Sequence, residues 1–207
     1  MGQSRSIIAG LVASILLASL VPAGRSEAAA ARRAASAKPK HSSAKCEMPK
    51  FRIVVDVGHT PESYGALSAR NDPEFGFNFV LAKLITAKLR SEGFAATRLL
   101  VTDGKARPSL LKRVSAAKDG RADLFLSIHH DSVPDTLLES WEFDGAKSYF
   151  SDRFSGHSLF VSQQIPHFTT SLMLARIIGR QLKEQGLHYA SQYTLPVMGR
   201  YRRQLLD

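Results

Sequence analysis

The chain has 207 residues, 44% of them hydrophobic, and a formal net charge of +10, which suits one folded domain with some non-globular extension. Residues 1–50 hold eight Lys and Arg against only Glu27 and Glu47, so +6 of the charge sits there and the body is mildly basic. That placement argues against a nucleic-acid-binding domain, and a single cysteine, Cys46, excludes an internal disulfide framework.

At the N-terminus, Arg5 precedes an apolar run from Ile7 to Val21, and small residues follow. This is the pattern of a secretory signal over residues 1–30 with cleavage near Ala28 to Ala30. An uncleaved anchor is the alternative, although the run is short for a span. Either way the body is expected to be exported, to the periplasm or cell envelope, with membrane contact only through this segment. No Arg pair precedes the apolar run, which argues against twin-arginine export, and Cys46 lacks the context of a lipoprotein cysteine. Residues 31–50, rich in Ala, Ser and Lys without aromatics, read as a flexible basic linker, a charged tether able to attract anionic envelope polymers. The folded domain is expected over 51–207.

It opens on FRIVVDVGH, whose run Ile53 to Val57 predicts a strand buried on both faces, with Gly58 and His59 at its carboxyl end. A loop rich in Pro, Ser and Gly leads to a helix in which Asp72 is the N-cap, Pro73 the first helical residue and Gly93 the stop, placing Glu74 in the first turn. FAATRLLVT predicts a second strand, RPSLLKRVSAAKDG a short helix opened by Pro108, and ADLFLSIHH another buried strand. Residues 134–156 read as irregular, HSLFVS as a strand, and TTSLMLARIIGRQLKEQG as a helix capped by Thr169 or Thr170 and ended by Gly186. Such alternation implies an α/β fold, one domain with a mostly parallel sheet flanked by helices.

In open α/β sheets, sites form beyond the carboxyl ends of strands. His59 and His129 both fall at such ends, and the positive N-terminus of a helix favours the ionised form of Glu74, the form that binds metal. Two His and one Glu with an open fourth position is the ligand set of a catalytic zinc site. Taken singly, a histidine placed like His59 is more often a hydrogen-bonding loop residue and a glutamate placed like Glu74 more often a first-turn helix stabiliser; their joint placement is what points to metal.

The blocks IVVDVGH, EFGFNFVLAKLITAKLRSEGF and RPSLLKRVSAAKDGRADLFLSIHHDS together resemble the zinc-dependent N-acetylmuramoyl-L-alanine amidases, bacterial cell-wall hydrolases, over roughly Phe51 to Ser132. The resemblance implies Zn²⁺ bound by His59, Glu74 and His129, peptidoglycan as substrate, and the amide between N-acetylmuramic acid and L-alanine as the bond cut. It leaves room for an activator protein and implies no nucleic acid. His130, next along the strand, is a candidate substrate contact, with alternation turning it away from His129. Asp131 is a candidate for steadying an imidazole.

The chain departs from the family in two places. After His59 comes TPESYGALSARN, which creates an H-x-x-E spacing to Glu62 like that of zinc carboxypeptidases. The family's catalytic glutamate on a late strand has no counterpart here and is expected beyond Asp207, so that 51–207 reads as an incomplete amidase domain with its last strand or strands missing and a sheet edge unpaired. Glu139 and Glu142 are the nearby carboxylates that could stand in for that base. Two further functions therefore stay open: a non-catalytic envelope protein that binds zinc and peptidoglycan, and a zinc carboxypeptidase or endopeptidase.

Overall fold

The computed structural model describes residues 12–18 and 47–201; most of the segment read as a signal, and linker residues 31–46, lie outside the described residues. A 3-10 turn over Met48–Lys50 leads into strand β2 (Ile53–Val57), every residue of which is buried. Helix α1 (Glu74–Ser91), strand β3 (Arg98–Leu100), helix α2 (Ala106–Asp119) and strand β4 (Leu124–His130) follow. Strands β5 (Glu139–Phe143) and β6 (Ala146–Phe150) form a separate hairpin, and strand β7 (Gly156–Val161) leads to helix α3 (Phe168–Glu184).

The main sheet has the order β3-β2-β4-β1-β7, where β1 is Val12–Ala18. β2 runs parallel to β3 and β4, β1 runs antiparallel to β4, and β7 runs parallel to β1. The fold is thus α/β with a mostly parallel sheet. Seven residues of the N-terminal apolar run lie between β4 and β7, and β3 and β7 form the two edges of the sheet. VASILLA contains neither Pro nor Gly, so it satisfies the ladder of β4 on one side and β7 on the other.

Alternation along β2 sorts the core onto two faces. Ile53, Val55 and Val57 meet Leu126 and Ile128 beneath Ala82 of α1, with Leu174 and Ile178 of α3 packed on the same cluster. Val54 faces the other way, onto Phe125 and Ala117 of α2. The sheet therefore lies between α1 and α3 on one side and α2 on the other. Among the described residues no helix is long and apolar enough to cross a membrane.

Three local expectations shift. α1 begins at Glu74 with Pro73 as its N-cap, one residue later than read, because the Asp72 carboxylate is turned back to the Ser68 hydroxyl instead of capping the helix. α2 begins at Ala106, ahead of Pro108, and α3 at Phe168 with His167 as N-cap, without a side-chain cap from Thr169 or Thr170. Residues read as irregular contain the β5–β6 hairpin, turned by Asp144 and Gly145 with φ of 55° and 76°. Positive φ at both turn residues is the type I′ geometry that Asp-Gly favours.

β2 and β4 are clamped at their starts. Arg52 Nε and Nη2 donate to the two oxygens of Asp123 at 2.9 and 2.7 Å, and the Arg52 amide adds a bond of 2.8 Å. This fork holds the Asp123 carboxyl below its ordinary pKa. A depressed carboxylate contributes stability that is present above its unfolded pKa, about 3.9, and is lost as pH falls through the folded value. Asp123→Asn is expected to cost about 1 kcal/mol near neutrality. In urea melts the gap between variant and parent should close as pH falls below about 4; an unchanged gap would refute the coupling.

Candidate metal centre

The site begins with a buried charge. Asp56 sits in an all-buried strand at 1% exposure, so it needs a counter-charge. Arg113 of α2 supplies it, with Nη1 donating to Asp56 Oδ1 at 2.6 Å, while the Ser127 hydroxyl donates to Oδ2 at 2.6 Å. Burial pushes the Asp56 carboxyl up, and Arg113 and Ser127 pull against it. The same guanidinium donates to the carbonyls of Val57 and His59. It thereby holds the end of β2 where His59 takes φ of 67°, a left-handed conformation uncommon outside glycine.

Next to it, Gly58 donates its N–H to Ile128 O at 2.9 Å. A Cβ at this position would lie 2.4 Å from that oxygen and 2.6 Å from His129 Nε2. The absence of a side chain lets the His129 ring close over the end of β2. Gly65, at φ of 82°, does the same on the other side, since a Cβ there would stand 2.4 Å from Glu74 Oε2 and 2.7 Å from His59 Nε2.

Glu74, the first residue of α1 and 3% exposed, receives both rings. His59 Nε2 lies 3.0 Å from Oε2 and His129 Nδ1 lies 3.1 Å from Oε1. The imidazoles meet edge to face with centroids 4.9 Å apart. Oε2 also accepts the Ala66 N–H at 3.0 Å, and Oε1 accepts the His130 N–H at 3.0 Å and the Asn78 amide at 3.2 Å. Burial alone would raise the Glu74 carboxyl, but the donors from His129, His59, Ala66 and His130 outweigh it and hold the group well below the usual carboxylate range. The bond to Glu74 raises His59 above its ordinary pKa.

One donor atom from each of His59, Glu74 and His129 lies within 4.8 Å of the others. These are the three residues that the sequence singled out, and the fold brings all three together. An ionised, buried carboxylate, two imidazoles and room made by two glycines fit a divalent cation of zinc's preferences. The described residues add no second carboxylate to this cluster.

The other candidates fall outside it. His130 is 8% exposed, its Nδ1 is 2.6 Å from Asn78 Oδ1 and its ring lies against Phe77. Both histidines of β4 therefore reach α1, one turn apart, and His130 borders the cleft beside the triad through burial more than through charge. Burial lowers its pKa. Asp131 accepts a hydrogen bond from the Tyr193 hydroxyl. Glu62 is exposed and accepts the Gly104 N–H at 2.9 Å; Glu139 and Glu142 are exposed on β5. Asp56 and Arg113 were missed by sequence reasoning, although a charged residue inside IVVDV was itself a demand for a buried partner.

A cleft of about 340 Å³ opens beside Glu74 and His130 and is walled by Leu67, Trp141, Tyr149 and Phe154. Trp141 Nε1 and the Ser148 hydroxyl both donate to Ala69 O, at 2.8 and 2.9 Å. These bonds staple the hairpin to the loop that follows His59.

Comparisons with curated proteins and with solved structures gave no match. The family model described as N-acetylmuramoyl-L-alanine amidase matches residues 53–198, a segment that holds β2 through α3 and the clustered His59, Glu74 and His129. The chain belongs to the N-acetylmuramoyl-L-alanine amidase family.

Proposed function

We propose that this chain is an exported zinc hydrolase that cuts the amide between the lactyl group of N-acetylmuramic acid and the L-alanine of the peptidoglycan stem. The observation that carries the reading is the convergence of His59, Glu74 and His129 inside the family-matched segment. Zinc held there would supply Lewis acidity at the scissile carbonyl and lower the pKa of the attacking water.

The chain's own residues do the rest. Glu74 stays ionised through its four principal donors, and Arg113 fixes the His59 backbone. The cleft supports an amphipathic substrate, with aromatic walls at Trp141 and Tyr149 and the Arg70 charge at its rim. Aromatic faces suit the apolar faces of sugar rings, and a few polar groups fix orientation.

A second reading is a zinc- and peptidoglycan-binding protein without turnover. It is favoured by the lack, among the described residues, of a second carboxylate in the cluster, since a general base contributes typically 10²- to 10⁴-fold. Incubating the zinc-loaded chain with purified peptidoglycan and reading new termini by mass separates the two. Free N-terminal L-alanine, lost with chelator and restored by zinc, is the expected result. Cleavage elsewhere in the stem would make it a carboxypeptidase or endopeptidase, and binding without release would make it the non-catalytic form.

A further inference from the structure

The buried stripe of α1 is largely polar, and one member of it, Asn78, is 0% exposed and touches three groups of the site. Its Nδ2 lies 3.1 Å from Gly58 O and 3.2 Å from Glu74 Oε1, and its Oδ1 lies 2.6 Å from His130 Nδ1. A backbone carbonyl can only accept, and so can an ionised carboxylate, so the atom that faces Gly58 and Glu74 is the amide NH₂. These two acceptors fix which way the amide points. The oxygen is left for His130.

That orientation determines where His130 carries its proton. An amide oxygen has no hydrogen to give, so the proton of the 2.6 Å bond belongs to His130 Nδ1. A neutral ring has one such proton, and this bond therefore leaves a lone pair on Nε2. Burial, at 8% exposure, favours the neutral ring. Among the described residues Nε2 has no hydrogen-bond partner, and it is not sealed from solvent. The open space that His130 lines is the cleft beside Glu74.

The ring is also held still. Phe77 lies against it with centroids 5.9 Å apart, and the His130 backbone N–H is bonded to Glu74 Oε1 at 3.0 Å. Ring and backbone are thus both tied to the opening turns of α1, the same turns that present the metal-binding carboxylate. A lone pair on a neutral ring accepts an N–H without the desolvation cost that the carboxylates lining the cleft, Asp72, Asp131 and Asp152, would carry.

We propose that Asn78 is a positioning residue that sets the tautomer of His130, and that His130 Nε2 is a specificity-determining acceptor for a peptide N–H of the substrate beside the metal centre. The substrate in that statement rests on the amidase reading above. The tautomer rests on the three bonds of Asn78 alone.

The test labels the zinc-loaded full chain with ¹⁵N at histidine and reads the ring nitrogens before and after adding N-acetylmuramoyl-L-alanyl-D-isoglutamine, before turnover depletes it. His130 should show a protonated Nδ1 and a bare Nε2, and the added compound should move the Nε2 resonance in the direction of an accepted hydrogen bond. In Asn78→Ala the bias toward Nδ1–H should be lost; the parent spectrum decides even where that variant does not fold. Two replacements separate the acceptor from packing, because an asparagine amide reaches where Nδ1 stood and a glutamine amide where Nε2 stood. His130→Asn keeps the bond to Asn78 and should weaken binding about tenfold, as the loss of one hydrogen bond does. His130→Gln should melt lower yet bind within about threefold of the parent. A role in packing alone predicts the opposite order. A His130 ring protonated at Nε2, an Nε2 resonance unmoved by the compound, or tighter binding by His130→Asn than by His130→Gln would overturn the proposal. Cleavage of the same compound is followed separately. An Nε2 response without cleavage would sink the amidase reading and leave the acceptor standing, whereas cleavage without that response would sink this inference alone.

Discussion

Arg113→Ala is expected to destabilise the fold by about 3–5 kcal/mol, the cost of leaving a buried carboxylate without its partner. Asp56 is 1% exposed and Arg113 is 5% exposed, so water cannot replace the lost guanidinium. Against a domain stability of about 5–15 kcal/mol, that loss is large enough to leave the variant marginal. Arg113→Lys should recover only part of it, because an ammonium keeps the charge but cannot reach Asp56, Val57 O and His59 O together as the planar fork does. Removing both partners, Asp56→Ala with Arg113→Ala, should cost less than the two single changes added together. Zinc affinity should fall by roughly 10- to 100-fold in any of these that still folds, since the His59 backbone loses its brace. Urea melts of the four proteins check the ordering, and an Arg113→Ala variant within about 1 kcal/mol of the parent would show that Asp56 finds another partner.

Glu74→Gln is expected to abolish tight zinc binding, with a loss beyond the roughly 100-fold that an outer partner's removal costs. The substitution keeps the shape and takes away the charge that a divalent cation requires. It also leaves the Ala66 and His130 N–H groups and the Asn78 amide, all now bonded to Glu74, with one acceptor oxygen where there were two. The metal-free variant should therefore lose about 1–3 kcal/mol as well. His129→Ala should abolish zinc binding by a different route, removing one imidazole while Glu74 keeps its backbone donors. Thermal melts with and without zinc separate the effects. The parent should gain stability on adding zinc in proportion to its occupancy, and neither variant should. One zinc retained per chain in His129→Ala would remove that residue from the ligand set.

Both predictions concern residues that the sequence revealed to different degrees, and the difference has a physical cause. His59, Glu74 and His129 were legible because each sits where an element changes type, at a strand's end or a helix's start, and such junctions gather at one edge of an α/β sheet. Arg113 was not, because its neighbours on the buried face of α2 are Ser109 and Ala117, so the face carries little apolar periodicity. The buried stripe of α1, Glu74, Asn78, Ala82 and Thr86, is likewise too polar to announce itself, and that helix was found from its Pro and Gly punctuation instead. The β5–β6 hairpin had a readable signal in Asp144-Gly145 between two runs with aromatics. The apolar run near the N-terminus was ambiguous in principle, since a seven-residue, mostly apolar stretch satisfies an export signal and an inner strand equally well.

That strand, first in the chain, is the most remote pairing in the sheet: Val12 lies beside Gly156 and Ala13 beside His130. Closing so long a loop costs entropy that only the finished ladder returns, so such contacts form late. The parallel core of β2, β3 and β4 is joined by its own ladders, so it can assemble before Val12–Ala18 joins the sheet. Once seated between β4 and β7, the segment is held by two ladders, and freeing it requires breaking both.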